Sequence, residues 1–178
     1  MKWMWYNFHN VYNEDQCRHI HERLIENTSN YYEDQPASSK KVNTYVTETE
    51  KVFPELKTFF RNVTQANQEF FGLDLFNNPE TVNLNVYEND NNEYPYHKDA
   101  LSLGSACDIK LTAILNISTE PYTGGEFQVF DCDDIVIPEI SKPGNMLVFP
   151  SFLIHRVKPV LSGKRVTVSA WFAGPNWR

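Results

Sequence analysis

Two histidines and an aspartate are spaced as metal ligands would be. The run Tyr94-Pro95-Tyr96-His97-Lys98-Asp99 puts His97 and Asp99 two positions apart. In extended backbone residues i and i+2 point the same way, so both side chains can reach one ion from one side. A third ligand must come from elsewhere. His155 is the best candidate, an imidazole in the run Phe152-Leu153-Ile154-His155-Arg156-Val157, where a nonpolar side chain would otherwise be expected. Two imidazoles and a carboxylate on one face of an octahedral ion leave three positions open, the facial set that suits non-haem iron(II) and oxygen chemistry. His-x-Asp alone is a weak signal, and the alternative for His97 is an ordinary surface-loop histidine.

Arg165 follows His155 by ten positions, at the head of Arg165-Val166-Thr167-Val168-Ser169-Ala170-Trp171. The run alternates as a strand does, which puts Arg165, Thr167, Ser169 and Trp171 on one face. Turned inward, that face carries a guanidinium, two hydroxyls and an indole. A buried guanidinium needs an anionic partner, and a dicarboxylate cosubstrate supplies one that the planar fork can grip through two hydrogen bonds. The alternative is a surface charge beside Lys164.

The elements that must position these residues change character near residue 81. Asn13 followed by Glu14, Asp15 and Gln16 reads as a helix start, and Cys17, Ile20, Leu24 and Ile25 recur at helical spacing, giving a helix near 14–26. A second helix is expected from Pro54 to Phe71, with Leu56, Phe59, Phe60, Val63 and Phe70 on its apolar face and Gly72 as its stop. Residues 3–8 could open a strand, and the polar stretch 27–40 reads as a surface loop. From residue 81 onward, short β-branched and aromatic runs follow one another: 81–87, 110–117, 126–130, 135–137, 146–149, 153–157 and 165–172. Asn89–Asn92, Gly124–Gly125, Pro143–Gly144 and Ser162–Gly163 punctuate them as turns, a texture that reads as a sandwich or barrel. No repeat or linker divides the chain, so one domain over 1–178 is expected, with helical support over 1–80 and a β core over 81–178.

The 178 residues suffice for a sizeable core, and with 41% hydrophobic residues the chain reads as globular rather than disordered. Sixteen basic against 23 acidic side chains give a formal charge of −7, which disfavours a general nucleic-acid binder. Three scattered cysteines, Cys17, Cys107 and Cys132, make neither a disulfide framework nor a zinc site and read as reduced thiols. With no apolar leader segment and no long apolar run, the expected location is cytoplasmic, without membrane insertion.

The chain resembles the prolyl-4-hydroxylase-like branch of the iron(II)/2-oxoglutarate oxygenases. The resemblance rests on Asn85-Val86-Tyr87, Tyr94-x-x-His97-x-Asp99-Ala100, Leu111-Thr112, Asn116-Ile117-Ser118 and Gly124-Gly125-Glu126-Phe127. It continues through Pro143-Gly144, Val148-Phe149-Pro150-Ser151, His155-Arg156-Val157-x-Pro159-Val160, Gly163-Lys164-Arg165 and Trp171-Phe172. It implies a mainly β fold with N-terminal helices, a double-stranded β-helix (the cupin-like jelly roll) with the site in its mouth. It also implies Fe(II), 2-oxoglutarate and O2 as cofactor and cosubstrates, with ascorbate as an optional reductant. In that family the far carboxylate of 2-oxoglutarate meets a basic residue ten positions beyond the second histidine, here Arg165. Tyr87 and Thr112 match positions that line the cosubstrate pocket, and core packing is the alternative for each. The segment between Tyr87 and His97 is one residue longer than usual, which bears on Tyr87. Trp171 is placed near the metal or in the core, and Gly124 and Gly125 in a turn with no catalytic part.

What the resemblance implies for activity is hydroxylation coupled to oxidative decarboxylation of 2-oxoglutarate. The intact Asp99 argues against halogenation, which needs that position vacated. A protein or peptide residue is the leading substrate class, proline foremost. A free amino acid or other small metabolite is the alternative, and a non-redox jelly-roll binding module or repair of nucleic-acid bases stand further off. The loops at 27–40 and 88–93 are candidates for a lid over an extended chain. Oligomeric state is not legible.

Overall fold

The alternation along Arg165–Phe172 is realised in the longest strand of the computed structural model, which describes residues 4–32, 41–88, 92–100 and 107–177. The elements run β1 (Tyr6–Phe8), α1 (Glu14–Glu26), β2 (Thr28–Tyr32), β3 (Asn43–Glu48), α2 (Thr49–Ala66), β4 (Thr81–Tyr87), β5 (Tyr94–His97) and β6 (Cys107–Asn116). They continue with β7 (Tyr122–Gly124), β8 (Phe127–Phe130), β9 (Asp134–Val136), β10 (Met146–Pro150), β11 (Ile154–Val157), β12 (Val160–Gly163) and β13 (Arg165–Pro175). A seven-stranded sheet has the order β1-β10-β6-β13-β4-β3-β2, a four-stranded sheet the order β5-β11-β8-β9, and β12 pairs with β7 alone. All the pairings are antiparallel. The two larger sheets face one another across a cavity, and this is the double-stranded β-helix, or jelly roll.

Strand β13 decides the layering. Val166, Val168, Ala170 and Phe172 point to one side and join Val82, Leu84, Val86, Leu111, Ala113 and Leu115 under the helices. Cys17, Ile20 and Leu24 of α1 and Val52, Leu56, Phe59, Phe60 and Val63 of α2 cover that face. The other face of β13 presents Arg165, Thr167, Ser169 and Trp171 to the cavity between the sheets. Each buried Leu or Phe here contributes roughly 1.5–3 kcal/mol over its exposed state, so the helices hold rigid the sheet from which the cavity is built.

Helix α1 has the predicted bounds, and its capping is explicit. Asn13 Oδ1 accepts from the Gln16 backbone N–H and Gln16 Oε1 accepts from that of Asn13, both at 2.9 Å. Ile25 departs from the predicted apolar stripe and is 42% exposed. Helix α2 begins at Thr49 rather than Pro54, because β3 runs straight into it, and Pro54 sits inside the helix. The α-helix ends at Ala66 and a π turn over Asn67–Phe71 carries the chain to Gly72, whose φ of +62° closes the element as expected. Phe70 is not part of the buried face; it is 40% exposed and stacks on Tyr6.

The stretch 27–40 is not simply a loop. Residues Thr28–Tyr32 form β2, paired with β3, and 33–40 lie outside the described residues, as do 89–91 of the loop at 88–93. The lid reading of these two loops therefore falls largely outside them. The first 80 residues contribute β1, β2 and β3 to the large sheet besides the two helices. Ser162 and Gly163 lie in β12 rather than in a free turn. Among the described residues, no helix is long and apolar enough to cross a membrane.

Candidate metal and cosubstrate site

Strands β5 and β11 are neighbours, and His97 and His155 are direct register partners. Asp99 lies just beyond β5, where its backbone N–H and that of Ala100 both donate to the Ser151 carbonyl at 3.0 Å. The result is a triangle. His97 Nε2 is 3.5 Å from Asp99 Oδ1, His155 Nε2 is 3.5 Å from Asp99 Oδ2, and the three ligand atoms all lie within 4.8 Å of one another.

The hydrogen bonds behind the rings fix which nitrogen faces the centre. His97 Nδ1 is 2.8 Å from the Pro95 carbonyl and His155 Nδ1 is 2.9 Å from the Leu153 carbonyl. A carbonyl only accepts, so each Nδ1 carries a proton, and in the neutral form of each ring the lone pair of Nε2 turns inward, the tautomer a metal requires. Burial pushes the His155 pKa down and so favours that neutral ring, while Asp99 pulls the other way. Thr112 Oγ1 donates to Asp99 Oδ2 at 2.8 Å, orienting the carboxylate. With both rings neutral, two imidazole lone pairs and a carboxylate converge on one point. A divalent cation fits that donor set.

The same cavity holds the cationic end. Arg165 is 1% exposed, and among the described residues its Nε and Nη2 have no hydrogen-bond partner. Among the described residues Asp99 is the sole acidic side chain lining the cavity. A guanidinium left buried and unpaired is strongly destabilising, so the site calls for an anionic ligand, and a carboxylate matches the two orphaned donors. Tyr87, the register partner of Arg165, is 3% exposed with its ring 5.1 Å from the guanidinium carbon. Burial pushes its hydroxyl up to about 12, against the pull of Arg165, so it stays a neutral phenol. The cavity is also lined by Thr112, Thr167 and Trp171, so each residue singled out for the site in the sequence lines it. Trp171 is the register partner of Thr112, at the metal end of β13.

Two polar lining residues, Tyr94 and Asn85, were not singled out for the site. Tyr94 stacks on His97, with ring centroids 3.5 Å apart and planes 15° apart, and burial pushes its hydroxyl up to about 12. Strict alternation would put positions 94 and 97 on opposite faces, but the β5–β11 register shifts between His155 and Val157 and brings both inside. Asn85 lies two positions from Tyr87 on β4, so alternation carried the signal. Its amide donates to Ser169 Oγ at 2.7 Å and accepts from Thr44 Oγ1 at 3.1 Å. The predicted turn glycines also have another part, because Gly125 packs directly on Arg165.

Residues 82–173, from β4 to β13, match the family model described as 2OG-Fe(II) oxygenase superfamily. A PKHD-type hydroxylase of Azoarcus sp. (strain BH72) is 31% identical over 136 residues, 73% of this chain and 59% of the relative. A PKHD-type hydroxylase of Acaryochloris marina (strain MBIC 11017) is 37% identical over 79 residues, 44% of this chain and 35% of the relative. The matches thus span about a third to three fifths of the length of these relatives. Among solved structures, a viral collagen prolyl hydroxylase from Paramecium Bursaria Chlorella virus-1 superposes with a TM-score of 0.74 at 13% identity, covering 97% of both chains. A Pseudomonas putida prolyl-4-hydroxylase gives 0.71 at 17% identity, over 98% of this chain and 95% of that one. A non-heme alpha ketoglutarate dependent carbocyclase from nogalamycin biosynthesis gives 0.69 at 14% identity, over 96% and 79%. At such identities the superpositions speak for the fold, whereas the sequence match encloses the His–Asp–His triangle and Arg165 together: this chain belongs to the 2OG-Fe(II) oxygenase superfamily.

Proposed function

We propose that the chain is an iron(II)- and 2-oxoglutarate-dependent dioxygenase that hydroxylates a residue of a protein or peptide, with proline foremost. The observation that carries this reading is the pair of unpartnered Arg165 nitrogens in the same cavity as the metal-ligand triangle. In this reading His97, Asp99 and His155 hold Fe(II), and Arg165 pairs with the far carboxylate of 2-oxoglutarate. Thr167 and Tyr87 add hydroxyls beside that carboxylate, Thr112 keeps Asp99 oriented, and Trp171 forms the wall near the metal. Iron supplies the oxygen chemistry when bound, with 2-oxoglutarate giving succinate and carbon dioxide. The buried walls exclude water and keep the guanidinium pairing strong.

A peptide substrate is supported by the prolyl hydroxylases that share the fold. A small-molecule substrate is the second reading, favoured by the carbocyclase of the same fold. Duplex nucleic acid is not the expected substrate at a formal charge of −7. The three free cysteines suit a reducing compartment such as the cytoplasm.

The test is succinate formation across a 2-oxoglutarate titration, with metal content measured in each variant. Truncating one partner of a buried charge pair loses about 3 kcal/mol, so Arg165→Ala should raise the 2-oxoglutarate half-saturation roughly a hundredfold. Metal affinity should be retained. Arg165→Lys should recover part of the loss, restoring charge without the planar fork. An unchanged half-saturation in Arg165→Ala would remove 2-oxoglutarate from the reading. Substrate class is then read by screening peptides and small metabolites for a product heavier by one oxygen atom.

A further inference from the structure

Strand β5 carries His97 and leads into Asp99, yet it is a four-residue edge strand. Its register to β11 is set by two residue pairs with an irregularity between them, His155↔His97 and Val157↔Tyr94. A strand held so lightly would not by itself fix ligands to the tolerance a metal needs. The opposite face of the same sheet carries a closed set of polar contacts. Tyr96, the neighbour of His97, donates its hydroxyl to Asp134 Oδ1 on β9. Arg156, the neighbour of His155, donates from Nη2 to Asp134 Oδ2 at 2.9 Å and from Nε to Gln128 Oε1 on β8 at 2.6 Å. Its guanidinium carbon also lies 4.4 Å from the centre of the Tyr96 ring. The circuit therefore touches all four strands of the sheet. It joins the residue before one candidate ligand to the residue after another, while the carboxylate that closes it stands on the far edge strand.

We infer that Tyr96, Arg156, Asp134 and Gln128 form a clasp on the outer face of the four-stranded sheet that positions His97 and His155 for the metal. The inference rests on the metal reading above, and these four are positioning residues that touch neither metal nor cosubstrate. Alternation explains how they act. In a strand, neighbouring side chains point to opposite faces, so a constraint on Tyr96 or Arg156 fixes the backbone from which the adjacent imidazole projects. Isolated surface ion pairs do little, but this one is joined to a buried amide, since Gln128 is 6% exposed beneath Arg156.

Mn(II) affinity of the full chain, read by electron paramagnetic resonance, tests the clasp without turnover. Asp134→Ala removes both acceptors and should weaken Mn(II) binding roughly fivefold. It should also shift the visible ligand-field bands of the Co(II)-loaded protein. Asp134→Asn keeps an acceptor for Tyr96 and should recover part of the affinity. Tyr96→Phe deletes one oxygen from an exposed side chain, so it guards against a fold failure of the alanine variant. Because the clasp acts as a unit, Tyr96→Phe combined with Asp134→Ala should weaken Mn(II) no further than Asp134→Ala alone. Wild-type affinity and unshifted Co(II) bands in both single variants would overturn the clasp while leaving the metal reading intact. A wild-type chain that takes up no Mn(II), behaving like His155→Ala, would overturn the metal reading and the clasp with it.

Discussion

A β-carbon on Gly125 would stand 2.9 Å from Cδ of Arg165. It would also meet Val160 Cγ2 at 3.0 Å, and Gly125 has a φ of +67°. The residue therefore does more than turn the chain, because its bare backbone leaves the space in which the arginine stem lies. Gly125→Ala should displace the guanidinium and strain the turn by about 1–2 kcal/mol. The expected result is a raised 2-oxoglutarate half-saturation with Mn(II) affinity near that of the wild type, measured by succinate titration and metal binding on the same preparation. Equal losses in both would mean that Gly125 supports the whole site rather than the arginine.

Thr112 tests the other end of the cavity. Its hydroxyl is the hydrogen-bond donor to Asp99 Oδ2, and the residue is 1% exposed. Thr112→Val keeps the shape and removes the donor, a loss of about 1 kcal/mol or roughly fivefold in Mn(II) affinity. Thr112→Ser should recover part of it. Unaltered Mn(II) affinity in the valine variant would show that Asp99 is oriented by its backbone alone.

The pairing of His97 with Asp99 and the inward face of β13 were legible because the signals are local. His97 and Asp99 are two residues apart, and Arg165, Thr167, Ser169 and Trp171 follow one alternation. Tyr94 escaped because an irregularity in the β5–β11 register, set by the partner strand, overrides that alternation. Strand β2 escaped for a similar reason. Thr28-Ser29-Asn30-Tyr31-Tyr32 has a loop's composition, and what makes it a strand is pairing with β3. Strands β7 and β12 are short and meet across a long separation in sequence, as in the bond between the hydroxyls of Thr123 and Ser162. Local propensity carries little of that information.

The cysteines offer a check on burial that is independent of activity. Cys17 is fully buried on the inner face of α1, and burial pushes its thiol up to about 11, whereas Cys132 is exposed. A raised pKa means less thiolate at neutral pH, and burial blocks access as well, so Cys17 should resist alkylation. Native protein treated with iodoacetamide near pH 8 should be labelled at Cys132 and reach Cys17 only after denaturation, as read by peptide mass spectrometry. Rapid native labelling of Cys17 would contradict the packing of α1 on the sheet.

Asn116 gives the last prediction, one of stability. It ends β6 with no exposed surface, and its amide joins three segments. Nδ2 lies 2.9 Å from the Ile140 carbonyl and 3.0 Å from that of Ser141, and Oδ1 accepts from the Ser118 backbone N–H at 2.9 Å. Ser118 in turn receives the Val166 N–H on its Oγ at 2.9 Å, beside Arg165 at the start of β13. Asn116→Leu matches the volume but strands the buried Ser118 N–H and the buried Ile140 carbonyl, each costing about 1–3 kcal/mol, while the Ser141 carbonyl keeps the Tyr122 hydroxyl. Asn116→Asp retains the acceptor for Ser118 and loses the donor, so it should lie between wild type and leucine on this count, with burial of the carboxylate charge opposing it. Urea unfolding of the metal-free chain should show the leucine variant less stable by about 2–4 kcal/mol with the slope unchanged. A loss below about 0.5 kcal/mol, the range of ordinary surface substitutions, would show that this corner does not hold β13 in place.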